Sequence, residues 1–184
     1  MALTRLVIDG YGQLEINNCA FPRDGRVEAQ CKPDATAFSQ VPVENGMILA
    51  VDAAKRVVKP ATDRSLPMAI VYTAEHLYDS AAPGLKNFKT EATNDFLPRL
   101  GYLSVGDKFT TNTICYDSAT YATESALKSA IASADTTPVY GAVASNGCIS
   151  IVSAAPTQGI ALRVLKGTTM PDGQYAVKFQ VYAD

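Results

Sequence analysis

The chain has no tryptophan and a single histidine, His76. It also lacks a long apolar run, a cluster of basic residues and a close pair of cysteines. Each shortage narrows what the protein can be. The longest strongly apolar run, Met47 to Val51, is far below the roughly 20 residues that span a bilayer as a helix, so no membrane partner is expected. The densest basic pair is Lys55-Arg56, and 16 basic residues stand against 18 acidic ones for a net charge of −2. Duplex nucleic acid needs a basic face that neutralises phosphates, so no nucleic-acid partner is expected either. The opening Met1-Ala2-Leu3-Thr4-Arg5 has neither the basic segment and apolar stretch of a secretory signal nor a lipidation pattern. Assembly in a cytoplasm is therefore the expectation.

Chemistry is scarce as well. Cys19, Cys31, Cys115 and Cys148 form no Cys-x-x-Cys pair, whereas structural zinc usually takes ligands in close pairs. They read as reduced, partly buried small hydrophobes, and no metal or cofactor is expected. His76 has Glu75 and Asp79 beside it, company that would suit a general base, but no nucleophile elbow accompanies it. A phosphate-binding glycine loop, a dinucleotide fingerprint and an EF-hand signature are all missing. Paired carboxylates for glycoside hydrolysis meet only in space; without tryptophan, any aromatic platform would fall to nine scattered tyrosines. No catalytic residue is assigned, and the protein is expected not to be an enzyme.

What the chain has in quantity is the punctuation of β-structure. With 47% hydrophobic and 18% charged residues it is globular rather than disordered, and 184 residues fit one domain. The clearest element is the stretch Ile160 to Tyr182. Tyr175, Val177, Phe179 and Val181 alternate with Gln174, Lys178 and Gln180, and Ile160, Leu162 and Val164 alternate with Ala161 and Arg163. Period two puts each set on its own face, and Pro171-Asp172-Gly173 supplies the turn. Val139 to Ala144, Ser145-Asn146-Gly147 and Cys148 to Val152 repeat this hairpin grammar.

Upstream, Leu3 to Ile8 and Leu14 to Ile16 read as strands, and Arg23-Asp24-Gly25-Arg26 as a hairpin turn, because Asp-Gly tolerates positive φ. Met47 to Val51 and Pro67 to Tyr72 are short continuous apolar runs, better read as buried strands than as helices. Lys108 to Tyr116 reads as one strand. Helix is expected only at Tyr121 to Ser133, where Leu127 and Ile131 form an i,i+4 apolar pair. Glu75 to Pro98 shows no period and has the look of a surface arm or a plain connection. The expected fold is mainly β: an antiparallel barrel or sandwich of short strands with one short helix near 121–133. A single domain spans 1–184, with 1–33 as an N-terminal hairpin arm.

The stretch Val43-Glu44-Asn45-Gly46-Met47-Ile48-Leu49-Ala50-Val51-Asp52, followed by Pro67-Met68-Ala69-Ile70-Val71, resembles head-decoration (cement) proteins of tailed bacteriophages; Pro138-Val139-Tyr140-Gly141-Ala142-Val143 has a similar pattern. The resemblance covers the middle third to half of the chain. It implies a non-enzymatic virion structural protein on the capsid exterior, binding and stabilising a lattice of major capsid protein, and a homo-oligomer such as a trimer or another ring. The chain departs from the smallest such proteins in its length, its N-terminal strands and its helix. Those departures leave open another phage role (head fibre base, tail or minor capsid component) or a carbohydrate- or receptor-binding β module. The N-terminal strand, with Leu3, Arg5, Leu6, Val7 and Ile8, is the expected partner-binding segment: an unpaired terminal strand can add to a neighbour's sheet edge.

Overall fold

The computed structural model describes residues 3–39, 41–62, 64–73, 89–90 and 97–183. Within them the chain forms β1 (Leu3–Arg5), β2 (Leu14–Asn18), α1 (Phe21–Asp24), β3 (Val27–Glu28), β4 (Lys32–Pro33), β5 (Val43–Glu44), β6 (Ile48–Asp52), β7 (Val57–Lys59), β8 (Met68–Val71), β9 (Lys89–Thr90), β10 (Leu100–Tyr102), β11 (Lys108–Thr111), β12 (Ile114–Asp117), α2 (Glu124–Ala132), β13 (Tyr140–Val143), β14 (Ile149–Val152), β15 (Ala161–Thr169) and β16 (Tyr175–Ala183).

The strands make an eight-stranded sheet ordered β1-β12-β14-β13-β15-β16-β11-β2, a six-stranded sheet ordered β3-β10-β8-β6-β7-β4, and the small pair β5-β9. The first sheet has two free ends, β1 and β2, so the architecture is a sandwich and not a closed barrel. Pairing is antiparallel throughout except for β12 with β14 and β4 with β7.

Periodicity explains the layers. Val177, Phe179 and Val181 of β16 and Leu162 and Val164 of β15 face the main core, where they meet Ile48, Met68 and Ile70 of the second sheet. The alternate residues of that sheet, Leu49, Val51, Ala69 and Val71, enter a second core with Cys31, Phe38 and Val58. The six-stranded sheet is therefore apolar on both faces, which is why β6 and β8 read as unbroken apolar runs. The helix α2 starts one turn later than its pattern implies. Thr123 caps it, its Oγ1 accepting from Ala126 N–H at 3.2 Å, and Leu127 and Ile131 bury against the main core.

Three expectations need correction. Asp24-Gly25 does not turn a hairpin: Gly25, at φ 68°, closes the short helix α1, and its N–H bonds Phe21 O. A positive-φ glycine serves a helix C-terminus as well as a turn, and local sequence does not separate the two. Residues 1–33 are accordingly no hairpin arm, since β1 and β2 lie at opposite edges of one sheet and β3 and β4 at opposite edges of the other. The run Lys108 to Tyr116 is two strands broken at Asn112-Thr113: β11 pairs with β16 and β2, whereas β12 pairs with β1 and β14. The stretch Glu75 to Pro98, with His76, lies mostly outside the described residues.

Candidate functional site

The N-terminal segment is an edge strand held from inside. β1 pairs with β12 in the register Leu3↔Asp117, Thr4↔Tyr116 and Arg5↔Cys115. Leu6 N–H continues the ladder to Ile114 O at 2.9 Å. Main-chain groups alternate between the two sides of a strand, so Leu3 and Arg5 turn theirs away from β12, to the side with no described strand. The five expected contact residues thus divide. Leu6 is buried in the main core, Ile8 packs partly against it, Val7 is 84% exposed, and Leu3 leans on the second core. Only main-chain groups of Leu3 and Arg5 and the Val7 side chain face outward.

Arg5 is the anchor. Its Nη1 and Nη2 donate to the two carboxylate oxygens of Glu44 at 3.1 and 2.6 Å, a bidentate pair that is strong and geometrically fixed. The hydrogen bond to Glu44 is the main reason the guanidinium pKa is raised above its usual value. The Glu44 side chain keeps only 3% of its exposure, and its Oε2 also accepts Gly12 N–H at 2.6 Å. A Cβ at Gly12 would overlap Thr113 Oγ1 and Asn45 O, so only glycine lets the chain pass this close.

The same node ties the sheets together. Asn45 uses its side-chain amide as a strand uses its backbone: Nδ2 donates to Thr73 O at 3.0 Å, and Oδ1 accepts Thr73 N–H at 2.7 Å. Thr113 Oγ1 donates to Asn45 O at 2.6 Å, and Asn112 Oδ1 accepts Gln13 N–H at 2.7 Å. At the break between β11 and β12, Asn112 and Thr113 thus bond other segments through their side chains. Arg5 Nε and Asn112 Nδ2 are buried without a partner. Sequence reasoning placed Glu44 and Asn45 within the resemblance and gave them no anchoring role. The available signal was a Glu-Asn pair set between Val43 and Met47, polar groups that must be bonded if the flanking residues are buried.

A cleft of about 650 Å³ opens beside this node, lined in part by Tyr11, Glu15, Tyr72, Met170 and Asp172. Its two carboxylates among the described residues are those of Glu15 and Asp172. Asp172 accepts from Gln174 N–H at 3.1 Å and from Gln13 Nε2 at 2.6 Å, and these bonds hold its pKa below the usual value. The thiols are poorly placed for chemistry. Burial pushes Cys148 up to about 11 and Cys19 and Cys115 up to about 12, and all four cysteines are buried and unbridged. No cluster of potential metal ligands occurs among the described residues, and no described helix is long and apolar enough to cross a membrane.

No family model matches the chain, and no curated protein or solved structure is significantly similar to it.

Proposed function

We propose that the protein is a non-enzymatic virion structural protein that binds and stabilises a phage capsid lattice from outside. The observation that carries this reading is the anchored edge: Arg5–Glu44 and buried Leu6 fix a strand whose outer main-chain groups have no described partner. Such an edge can add to a neighbouring sheet. The resemblance of Val43 to Asp52 and Pro67 to Val71 to head-decoration proteins supports a shell of major capsid protein as that neighbour. A protein that binds the assembled shell and not its free subunits stabilises the shell by mass action, and modest single contacts suffice when many act together.

Co-sedimentation with empty phage heads tests the proposal. Deleting residues 1–8 would also remove the core residue Leu6, so a gentler variant is needed. Leu3→Pro deletes one outward N–H at an edge position where proline is tolerated. Retention on heads is expected to fall for Leu3→Pro and to hold for Leu3→Ala, which loses the same packing against the second core but keeps the N–H. Unchanged retention of Leu3→Pro would remove the strand-addition mechanism, and failure of the wild-type protein to co-sediment would remove the capsid role.

A second reading has one observation in its favour. The 650 Å³ cleft presents Tyr11 and Tyr72 among polar groups, a lining that suits a sugar. Specific glycan binding on an array, lost in Tyr72→Ala, would favour a carbohydrate-binding module.

A further inference from the structure

The outer face of the eight-stranded sheet assembles a group of cations that are dispersed in the sequence. One row across the strands runs Tyr140, Arg163, Gln180, Lys108, Asn18. The next runs Lys166, Lys178, Thr110, Glu15. Strands lie about 4.8 Å apart and same-face residues about 7 Å apart, so Lys108, Arg163, Lys166 and Lys178 share a patch of roughly 10 by 7 Å. Their opposite-face neighbours Phe109, Leu162, Val164, Val177 and Phe179 are buried, which fixes the four cations on the solvent side. None of the four makes an ion pair among the described residues. Glu15, at the margin, is the one acidic residue in the two rows.

The arrangement is costly in the isolated chain. Lys166 and Lys178 are direct cross-strand partners, and like charges so placed repel. In a chain of net charge −2, stacking unpaired cations on one face works against the fold and in favour of an anionic partner. Two features narrow the partner. Tyr140 and Tyr182 pair at one end of the patch, ring centroids 6.1 Å apart, and Gln180 stands between the cations; Thr110, 2% exposed and donating to Asn17 Oδ1, is closed to a partner. Arg163 and the tyrosine pair are residue types enriched at protein interfaces, and the three lysines add the charge that steers an acidic partner onto them. The patch is too short to follow the six or more phosphates of a duplex site, and Tyr182 is its one exposed large hydrophobic residue, too little to enter a lipid surface.

We infer that this face docks on an acidic protein surface through Lys108, Arg163, Lys166 and Lys178. The site is separate from the β1 edge and stands whether or not the partner is a capsid shell.

The test measures binding of the full chain to poly-L-glutamate, to a short DNA duplex and to vesicles of phosphatidylcholine with phosphatidylserine, each over a salt series. Poly-L-glutamate is expected to bind tightest and to weaken with salt. Arg163→Gln/Lys178→Gln should lose about tenfold in affinity, while Lys55→Gln/Arg56→Gln, on the β6–β7 turn of the other sheet, should bind as wild type does. Lys178→Gln alone should also melt at a higher temperature, because it removes the like-charge pair. Equal binding by the Arg163/Lys178 variant, no binding of poly-L-glutamate by wild type, or tighter binding to DNA or vesicles would each overturn the inference.

Discussion

Asn45 offers the sharpest test of the polar node, because one side chain replaces two strand hydrogen bonds. Asn45→Ala removes the bonds to Thr73 O and Thr73 N–H and leaves both main-chain groups without partners at a residue only 9% exposed. An unsatisfied buried group costs about 1–3 kcal/mol, and partial access to water favours the lower half, so the expected loss is about 2–4 kcal/mol. At this chain length that corresponds to a drop of roughly 5–15 °C in melting temperature. Asn45→Asp separates the two bonds. The carboxylate still accepts from Thr73 N–H, but it opposes the Thr73 carbonyl with a lone pair where a donor stood. Protonation restores a donor, so the new group has a folded pKa raised above the unfolded value of about 3.9. Its stabilisation is then complete below about pH 4 and is lost as pH rises through the folded pKa. The gap between Asn45→Asp and wild type should widen from about pH 4 to about pH 7. Thermal and urea unfolding of the three proteins across that range reads the effect. A loss under about 0.5 kcal/mol for Asn45→Ala, or a gap that does not change with pH, would refute the reasoning.

Arg5→Met strands the buried Glu44 carboxylate with only Gly12 N–H, and the expected cost is about 2–4 kcal/mol, toward the lower end for a buried pair because the Arg5 side chain keeps 31% of its exposure. Arg5→Met/Glu44→Gln should recover part of that loss in urea unfolding; a double variant less stable than the single would contradict the pair. Gly101→Ala sets a Cβ into the ring of fully buried Phe21, so overpacking should cost about 1–3 kcal/mol, read as a lowered melting temperature. Native protein at about pH 8 should react with a thiol reagent only on unfolding, since reactivity follows the thiolate and burial lifts Cys148 to about 11 and Cys19 and Cys115 to about 12; rapid native labelling of any of these three would contradict the packing.

Elements whose signal is local were legible in the sequence. The hairpin β15–β16, the pair β13–β14 around Asn146-Gly147 and the helix α2 all lie where alternation, a turn or an i,i+4 pair announced them. What escaped depends on contacts distant in the chain. Asp24-Gly25 is the same dipeptide whether a strand returns or a helix ends. Lys108 to Tyr116 has strand propensity throughout, and what divides it is distant pairing: β11 lies between β16 and β2, β12 between β1 and β14. The sites were less legible still. Leu3 to Ile8 read as a strand and forms one only over Leu3–Arg5, and the inward turn of Arg5 needs Glu44, 39 residues on. No two of Lys108, Arg163, Lys166 and Lys178 are adjacent in sequence, so linear counting finds no basic cluster; the register of three strands makes one.

The edges of the two sheets decide what the β1 contact can deliver. Sheet edges invite pairing, and proteins blunt them with short strands, proline, lysine or bulges. At the six-stranded sheet, β3 is two residues long and β4 is Lys32-Pro33. At the eight-stranded sheet, β2 meets β11 across a register shift between Lys108 and Thr110. Over its described residues the β1 edge has neither proline, lysine nor bulge, and its limit is length: of β1, Leu3 and Arg5 turn their N–H and C=O groups outward. At about 0.5–1.5 kcal/mol net for each bond, four bonds give roughly 2–6 kcal/mol, against about 4–15 kcal/mol for the lost freedom of association. Over most of these ranges a single edge does not hold one partner. It holds only where a rigid array presents many edges together or a second face adds its contacts. Under the capsid role proposed above, free capsid subunits are expected not to retain the protein and assembled shells to do so, and co-sedimentation with each form separates the two. Equal binding to free subunits would mean that the affinity comes from somewhere other than this edge.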